Sequence, residues 1–257
     1  MRRPGKPHPR RRCPGAQAGR GTTGPAWPRL LSSRAGVAAM EFALLAPVVV
    51  LMLAGLYDLT MAYIAWERVT LAAQAINQIA TTIAATPPNS NTVTQAQATT
   101  ASTAIYAYLP QLLTASPPAF SVTISSIAME PLTAGTSCAG PTTCVAQVAW
   151  SGTYLGTDQD VNGTALQRPC GVGAVVQTSD TTTPSPGTLP EDVYSASSLL
   201  VVDVTYQFTP TFYQFLTGNI TIAQSAYYPP RIGLQSAHIT YIYAAPDLTT
   251  VCSPAPA

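Results

Sequence analysis

The chain has few of the side chains that enzymes use for catalysis. Only 9% of its 257 residues are charged, and it contains two histidines, His8 and His238. No Walker loop, G-x-G-x-x-G turn or G-x-S-x-G nucleophile elbow occurs in it. A catalytic His238 needs a nucleophile and an orienting acid, so a surface or half-buried histidine is the simpler interpretation. We therefore predict a protein that is not an enzyme, and an anchored hydrolase using His238 is the disfavoured alternative.

Sequence patterns that bind metal ions are also scarce. Close Cys-x-x-Cys or His-rich spacing is absent, which argues against a zinc site. The turn DQDVNG places oxygen-bearing side chains on alternate residues, Asp158, Asp160 and Asn162, as the first half of a calcium loop does. Pro169 stands where such a loop needs its last acid. A polar turn is the favoured interpretation, calcium binding is the alternative, and we expect no other cofactor.

Charge is distributed very unevenly along the chain. Residues 1–36 contain nine of the twelve Lys and Arg and no acid, whereas residues 37–257 contain three basic residues and all eleven acids. A basic, Pro- and Gly-rich head is typical of a nucleic-acid-binding arm, but here an apolar run follows directly. The positive-inside rule explains that order better, because basic flanks stay in the cytoplasm. We therefore predict a disordered cytoplasmic leader over residues 1–36 and no nucleic-acid partner.

The one long apolar run of the sequence is free of charge from Phe42 to Tyr57. The wider stretch Val37–Trp66 contains only Glu41 and Asp58 as charged residues. As a helix, its thirty residues extend roughly 45 Å, which is more than the hydrocarbon core of a bilayer requires. Membrane helices tolerate an internal proline such as Pro47. Aromatic residues cluster at the far end, as in an interfacial belt: Tyr57, Tyr63 and Trp66.

A helical pattern continues beyond the apolar run. Apolar residues recur there at spacings of three and four, with Gln, Asn and Thr between them, and Pro87 and Pro88 end the pattern. We therefore predict one helix over residues 37–86, half in lipid and half in water. The apolar positions of its second half are Val69, Ala72, Ala73, Ile76, Ile79, Ala80 and Ile83.

Residues 87–257 predict an exported α+β domain. A second helix is expected over Thr92–Leu113, with an apolar stripe, and the pattern then changes to the alternation of antiparallel strands. Residues 156–198 are rich in Gly, Thr, Ser and Pro, which predicts a long insertion. The predicted strands are AFSVTISSIAM, CVAQVAW, LLVVDVTYQFTP, NITIAQSAYY and HITYIYAA.

The cysteines support export to an oxidising compartment. Cys138, Cys144, Cys170 and Cys252 all follow the apolar run and form an even set, which predicts two disulfides. Three pairings are possible. The five-residue spacer makes a local bridge between Cys138 and Cys144 plausible, which leaves Cys170 and Cys252, and the pairing stays open at this point.

The start of the apolar run carries a recognisable motif. The pattern G-x-x-x-x-E-F from Gly36 to Phe42 resembles the processing site of type IV prepilins, above all the Flp/Tad group, in which a membrane peptidase cuts after the glycine. Residues 38–80 are similar to the N-terminal module of TadE/TadG pilus-assembly proteins, on the basis of Glu-Phe-Ala, an Ala-Pro in the membrane helix, and Gly55 followed by Asp58. Residues 202–231 resemble the closing strands and TP segment of that family.

The resemblance implies a function and a set of partners. It implies a minor pilin-like component (pseudopilin) of Tad/Flp tight-adherence pilus biogenesis, cut between Gly36 and Val37, in which Glu41 pairs with the freed amine of a neighbouring subunit. Phe42, Pro47 and Asp58 are further candidate assembly residues.

The partners implied are other Tad pilins and pseudopilins, the prepilin peptidase, the secretion platform and the lipid bilayer. The expected location is the bacterial inner membrane, as a single-pass signal anchor with the C-terminal domain periplasmic or extracellular. A 36-residue leader is long, which leaves a misassigned start codon open. The alternative function is a signal-anchored periplasmic binding or adhesion module, with or without calcium.

Overall fold

The structure is a computed structural model, and the chain divides into two compact units, residues 1–52 and 53–257. Residues 1–33 of the predicted leader, part of the predicted insertion and all three calcium candidates (Asp158, Asp160, Asn162) lie outside the described residues. The structure describes residues 34–84, 92–113, 120–133, 138–156, 166–172, 175–177, 188–195, 198–230, 238–242 and 249–252.

One helix, α1, extends over Arg34–Ala84 and contains Pro47, so the prediction of a single long apolar helix is confirmed. Within the part of the chain that the structure describes, Ala39–Ala84 is the one helix that is long and apolar enough to cross a membrane. None of its most apolar stretch is buried against protein. An unburied apolar helix of this length fits a membrane anchor.

In the second unit, the C-terminal part of α1 becomes the centre of a protein core. The predicted stripe is buried at most positions, and Ile79 alone among its members is exposed. Full burial of a side chain such as Ile76 contributes about 1.5–3 kcal/mol, and the many alanines allow a close approach to the sheet. The buried stripe residues are Val69, Ala72, Ala73, Ile76 and Ala80.

The remaining elements of the described residues form an α+β arrangement, as predicted. The short helices are α2 (Gln95–Ser102), α3 (Ile105–Tyr108) and α4 (Gln214–Thr217), with 3-10 turns at Pro110–Leu113 and Glu191–Ser195. The strands, in chain order, are β1 (Thr92–Thr94), β2 (Phe120–Pro131), β3 (Cys144–Gly156), β4 (Gly171–Val172), β5 (Val175–Gln177), β6 (Thr188–Pro190), β7 (Ser198–Phe208), β8 (Ile220–Tyr228), β9 (Thr240–Ile242) and β10 (Thr250–Val251).

The main sheet has the order β10-β3-β2-β7-β8, and all its neighbours are antiparallel. Its two faces bury different clusters. Leu200 and Val202 of β7 pack in the cluster that contains the α1 stripe. Leu199 and Val201 pack on the other face with Leu189 and its neighbours. Burial of both faces explains why β7 begins with a continuous apolar run instead of an alternating one.

Two short strands and a disulfide cover the outer edge of β3. β4 pairs with Gln147 and Val148, and β10 pairs with the next residues along the same edge. The structure links Cys170, just before β4, to Cys252, just after β10. It also links Cys138 to Cys144. The Cys170–Cys252 bridge has a sequence separation of 82, and a loop of that size implies about 4–5 kcal/mol of stabilisation in the chain-entropy account.

The structure differs from the predicted single helix over Thr92–Leu113. Thr94 caps α2 through a capping box with Gln97, so the helix begins at Gln95 and Thr92–Thr94 form β1 instead. α2 ends at Ser102, where side-chain hydroxyls compete for helix carbonyls: Ser102 Oγ donates to Ala98 O at 2.9 Å. The predicted apolar stripe is still buried at most of its positions: Ala98, Ala101, Ile105, Leu109 and Leu112.

The last predicted strand pairs differently from expectation. Among the residues of that segment that the structure describes, 238–242, Thr240–Ile242 form a strand, which pairs in parallel with β1 in a separate two-stranded sheet. Trp150 on β3 holds this segment in place, because its buried indole Nε1 donates to Ile239 O at 2.6 Å. Its ring also lies 5.2 Å from that of Tyr241, centroid to centroid. A buried indole N–H needs an acceptor, and the chain supplies a backbone carbonyl.

A buried asparagine joins α1 to two strands of the main sheet. Asn77 is completely buried, and its Nδ2 donates to Leu200 O of β7 at 2.9 Å and to Ala226 O of β8 at 2.6 Å. Its Oδ1 is buried without a hydrogen-bond partner. The two donated bonds fix the position of α1 over the β7–β8 pair.

We predict that Asn77→Leu, which keeps the same branching of heavy atoms and removes both donated bonds, destabilises the fold by about 1–3 kcal/mol. Gln74→Leu is the matched control, because Gln74 is an exposed amide one turn earlier on the same helix. Urea unfolding of the full chain in detergent micelles measures the difference. Equal midpoints for the two variants would contradict the role of Asn77.

Candidate functional site

The acid that follows the apolar run is buried in the second unit and accepts three backbone hydrogen bonds. Asp58 is 6% exposed. Its Oδ1 accepts from Thr211 N, and its Oδ2 accepts from Phe212 N and Tyr213 N, each at 2.9 Å. The successive N–H groups of one turn thus surround a single carboxylate. Charge-assisted bonds of this kind are about twice as strong as neutral ones, so they hold the turn against α1.

Aromatic contacts reinforce the attachment. The rings of Tyr57 and Phe212 meet edge to face, with centroids 5.7 Å apart. The ring of Tyr213 lies over Gly55, where an added Cβ would be 3.4 Å from its nearest carbon. The absence of a side chain at Gly55 leaves room for that ring. Together these contacts define the collar, which comprises Gly55, Tyr57 and Asp58 of α1 with Thr211, Phe212 and Tyr213 of the turn.

The turn half of the collar lies between β7 and β8. β7 ends at Phe208, the bend over residues 211–213 follows, and α4 occupies Gln214–Thr217. Gly218 then has a φ of 65°, a left-handed conformation that glycine adopts without strain, and the chain returns into β8. The collar therefore joins residues 55–58 of α1 to a turn that lies more than 150 positions later in the sequence.

A buried ion pair lies on the second face of the main sheet. Arg168 is completely buried as a side chain, and its Nε and Nη2 donate to the two carboxylate oxygens of Asp203 at 2.9 and 3.0 Å. Ser225 also donates to Asp203, and the backbone N–H of Arg168 donates to Ser151 Oγ at 2.9 Å. Burial acts to lower the pKa of Arg168, but Asp203, with a smaller contribution from Tyr227, raises it above its ordinary value.

The ion pair was not predicted from the sequence. A signal was present, because Arg168 is one of three basic residues after residue 36, and Asp203 interrupts an otherwise apolar strand. Both partners stay hydrogen-bonded in the interior, and removal of one partner of such a pair typically costs about 3–5 kcal/mol. The pair fixes the segment before Cys170 on the sheet.

The predicted assembly residues of the first unit lie on α1. The side chains of Glu41, Phe42 and Pro47 are exposed, Phe42 by 72%. Gly36 and Val37 lie in the first turns of α1, which begins at Arg34. An exposed acid beside exposed apolar side chains is available to a partner in a bilayer. The pairing of Glu41 with an amine and the cut after Gly36 both stay predictions.

His238 has features of an ordinary half-buried histidine. Burial lowers its pKa, and the charge of Glu130 acts in the opposite direction. Within the described ranges, no group of three or more His, Cys, Asp and Glu side chains is close enough to hold a metal ion. The calcium candidates fall outside those ranges, so calcium binding stays a prediction.

Residues 36–76 match the family model described as TadE-like protein. The match covers Gly36, Glu41, Gly55 and Asp58, and it confirms the resemblance of the N-terminal module to TadE-like proteins. The resemblance of residues 202–231 stays a prediction. The match supports involvement in Tad pilus assembly, with other pilus components as the kind of partner, in a family that is generally non-enzymatic. Neither a curated protein nor a solved structure matches the chain.

We predict that Asp58→Asn loosens the collar. The neutral amide keeps one acceptor oxygen and directs an NH₂ group toward a backbone N–H. Since a hydrogen bond to a charged group contributes about 1.5–3 kcal/mol, the amides of residues 211–213 should exchange with deuterium roughly 10- to 100-fold faster by local opening. Glu67→Gln is the control, because Glu67 is an exposed acid on the same helix. Unchanged exchange of the three amides in Asp58→Asn would show that the carboxylate does not hold the turn.

Proposed function

Because the chain carries a TadE-like domain at residues 36–76, we propose that it is a membrane-anchored, pilin-like (pseudopilin) component of Tad pilus biogenesis without a catalytic role. α1 crosses the bacterial inner membrane once, with its N-terminus in the cytoplasm and residues 87–257 exported. The observation that carries the proposal is this match, which falls on an apolar helix whose most apolar stretch is unburied. Disulfides in the second unit support export.

The carboxylate of Glu41 can pair with the N-terminal amine of an adjacent pilin subunit in the membrane. A lone carboxylate in hydrocarbon is costly, whereas one paired with an amine is tolerated. Processing after Gly36 exposes such an amine at Val37, and the pairing sets the axial register between adjacent helices. The exposure of Glu41 and Phe42 on α1 is consistent with contacts to another subunit.

Within the second unit, Asp58 and Asn77 attach the turn over residues 211–213 and the strands β7 and β8 to α1 at two levels of the helix. We infer that these attachments serve a component whose exported domain meets a neighbouring pilin or the secretion platform.

Processing of the leader is the first test. In cells that contain the prepilin peptidase, we predict a mature chain that begins at Val37, and in cells without it a full-length chain. Intact-mass measurement of the membrane protein distinguishes the two, and Gly36→Leu should stay uncut in both strains. A full-length chain in both strains would exclude the pseudopilin role and leave an uncut TadE-like anchor.

The role of Glu41 has a separate test. We predict that Glu41→Gln lowers the yield of sheared pili on the order of tenfold or more, since loss of one partner of a buried ion pair costs about 3–5 kcal/mol. Membrane insertion and leader processing should be unchanged. Glu67→Gln serves as the control on the same helix. A normal pilus yield in Glu41→Gln cells would refute the pairing.

A further inference from the structure

The turn of the collar and the short helix α4 that follows it expose large apolar side chains, whereas the surface of a soluble protein would carry charged side chains there. Phe212 is 53% exposed and Leu216 is 65% exposed, at the end of the sheet nearest the collar. From Val204 to Pro230 the sequence contains no Asp, Glu, Lys or Arg. Both residues belong to the membrane loop, which we define as residues 211–217. An exposed apolar patch without charge marks an interaction surface.

Asp58 does not mark the end of the apolar surface of α1. Its carboxylate faces inward and is satisfied by the membrane loop. Large apolar side chains stay exposed beyond it, from Leu59 to Trp66, and the next acid, Glu67, is the first exposed charge. Glu67 lies nine positions after Asp58 on the helix, which places the membrane loop roughly 13 Å closer to the bilayer centre than that charge.

Aromatic and aliphatic side chains at this level are typical of the boundary between headgroups and acyl chains. Tyr57, Tyr63 and Trp66 on α1 provide the same chemistry as Phe212 on the loop, and Tyr57 contacts Phe212 directly. The exposed surface of the loop is thus continuous with that of the helix. A bilayer covers both at once, whereas a protein partner would have to match each separately.

We propose that the membrane loop inserts into the outer headgroup–acyl boundary of the lipid bilayer and forms a second membrane contact beside α1. This inference rests on the proposed membrane anchoring. The loop then acts as a stop that sets the depth of the helix, and the three hydrogen bonds of Asp58 hold the loop at that depth. In this arrangement the β7–β8 turn faces the bilayer, and the strands of the main sheet extend away from it.

Depth-dependent fluorescence quenching tests the inference. The full chain is reconstituted into phosphatidylcholine vesicles whose acyl chains carry bromine, and the emission of Leu216→Trp is compared with that of the parent. Leu132→Trp is the matched control, since Leu132 is 60% exposed and follows β2 at the other end of the sheet. That end lies roughly 40 Å away along the strand. The emission of the parent protein, which contains the three native tryptophans, is subtracted from the emission of each variant.

We expect brominated lipid to remove most of the emission that Leu216→Trp adds and little of the emission that Leu132→Trp adds. Equal quenching at the two positions would overturn the inference. Absence of bromine quenching at Leu216→Trp would equally overturn it, since the side chain then lies in water or against protein and not in lipid. If Leu216→Trp misfolds, Phe212→Trp provides the same comparison.

A third position separates this inference from the proposed function. Val50→Trp lies in the charge-free run of α1, so it is quenched whenever the helix is in the bilayer. Quenching at Val50 without quenching at Leu216 would reject the membrane loop and leave the anchor intact. Absence of quenching at both positions would reject the anchor itself.

Discussion

The structure depends on the carboxylate of Asp58, which accepts the N–H groups of Thr211, Phe212 and Tyr213. An acid just after a charge-free run is expensive to leave unpaired, and the chain satisfies it with its own backbone. The residues that satisfy it come from more than 150 positions later in the sequence. One ionic contact therefore closes the second unit, holding the turn before α4 against the helix that precedes the whole sheet.

Two polar connections from α1 to the rest of the second unit use backbone groups as partners. Asp58 accepts from three N–H groups, and Asn77 donates to two carbonyl oxygens. Neither connection therefore requires a particular partner side chain. The ion pair of Arg168 and Asp203 differs in this respect, since it joins two side chains and stabilises the opposite face. Attachment of the domain and stabilisation of the sheet are thus separate features of the fold.

The sequence predicted what local periodicity and hydropathy determine. Continuous apolar spacing predicted α1 to within a few residues, and alternation located β2, β3, β7 and β8. The prediction over Thr92–Leu113 was wrong at its start, because a local capping box at Thr94 makes α2 begin at Gln95. The prediction for the last strand was wrong because a tertiary contact of Trp150 holds the segment that contains Thr240–Ile242 away from the main sheet. The sequence indicated Asp58 as an acid at the end of the apolar run. Its hydrogen-bond partners could not be predicted, because they are backbone N–H groups and every residue type except proline has one. The ion pair of Arg168 and Asp203 was not predicted, because the two residues are 35 positions apart and no local sequence pattern connects them.

Asp58 attaches the turn over residues 211–213 to α1, and we propose that pilus assembly needs this attachment. Pilus yield in a native strain whose chromosomal copy carries Asp58→Asn tests it most directly, with the amount of membrane-inserted protein measured in the same cells. The account predicts normal insertion and normal leader processing with loss of pili. Normal pili at a normal protein level would contradict it.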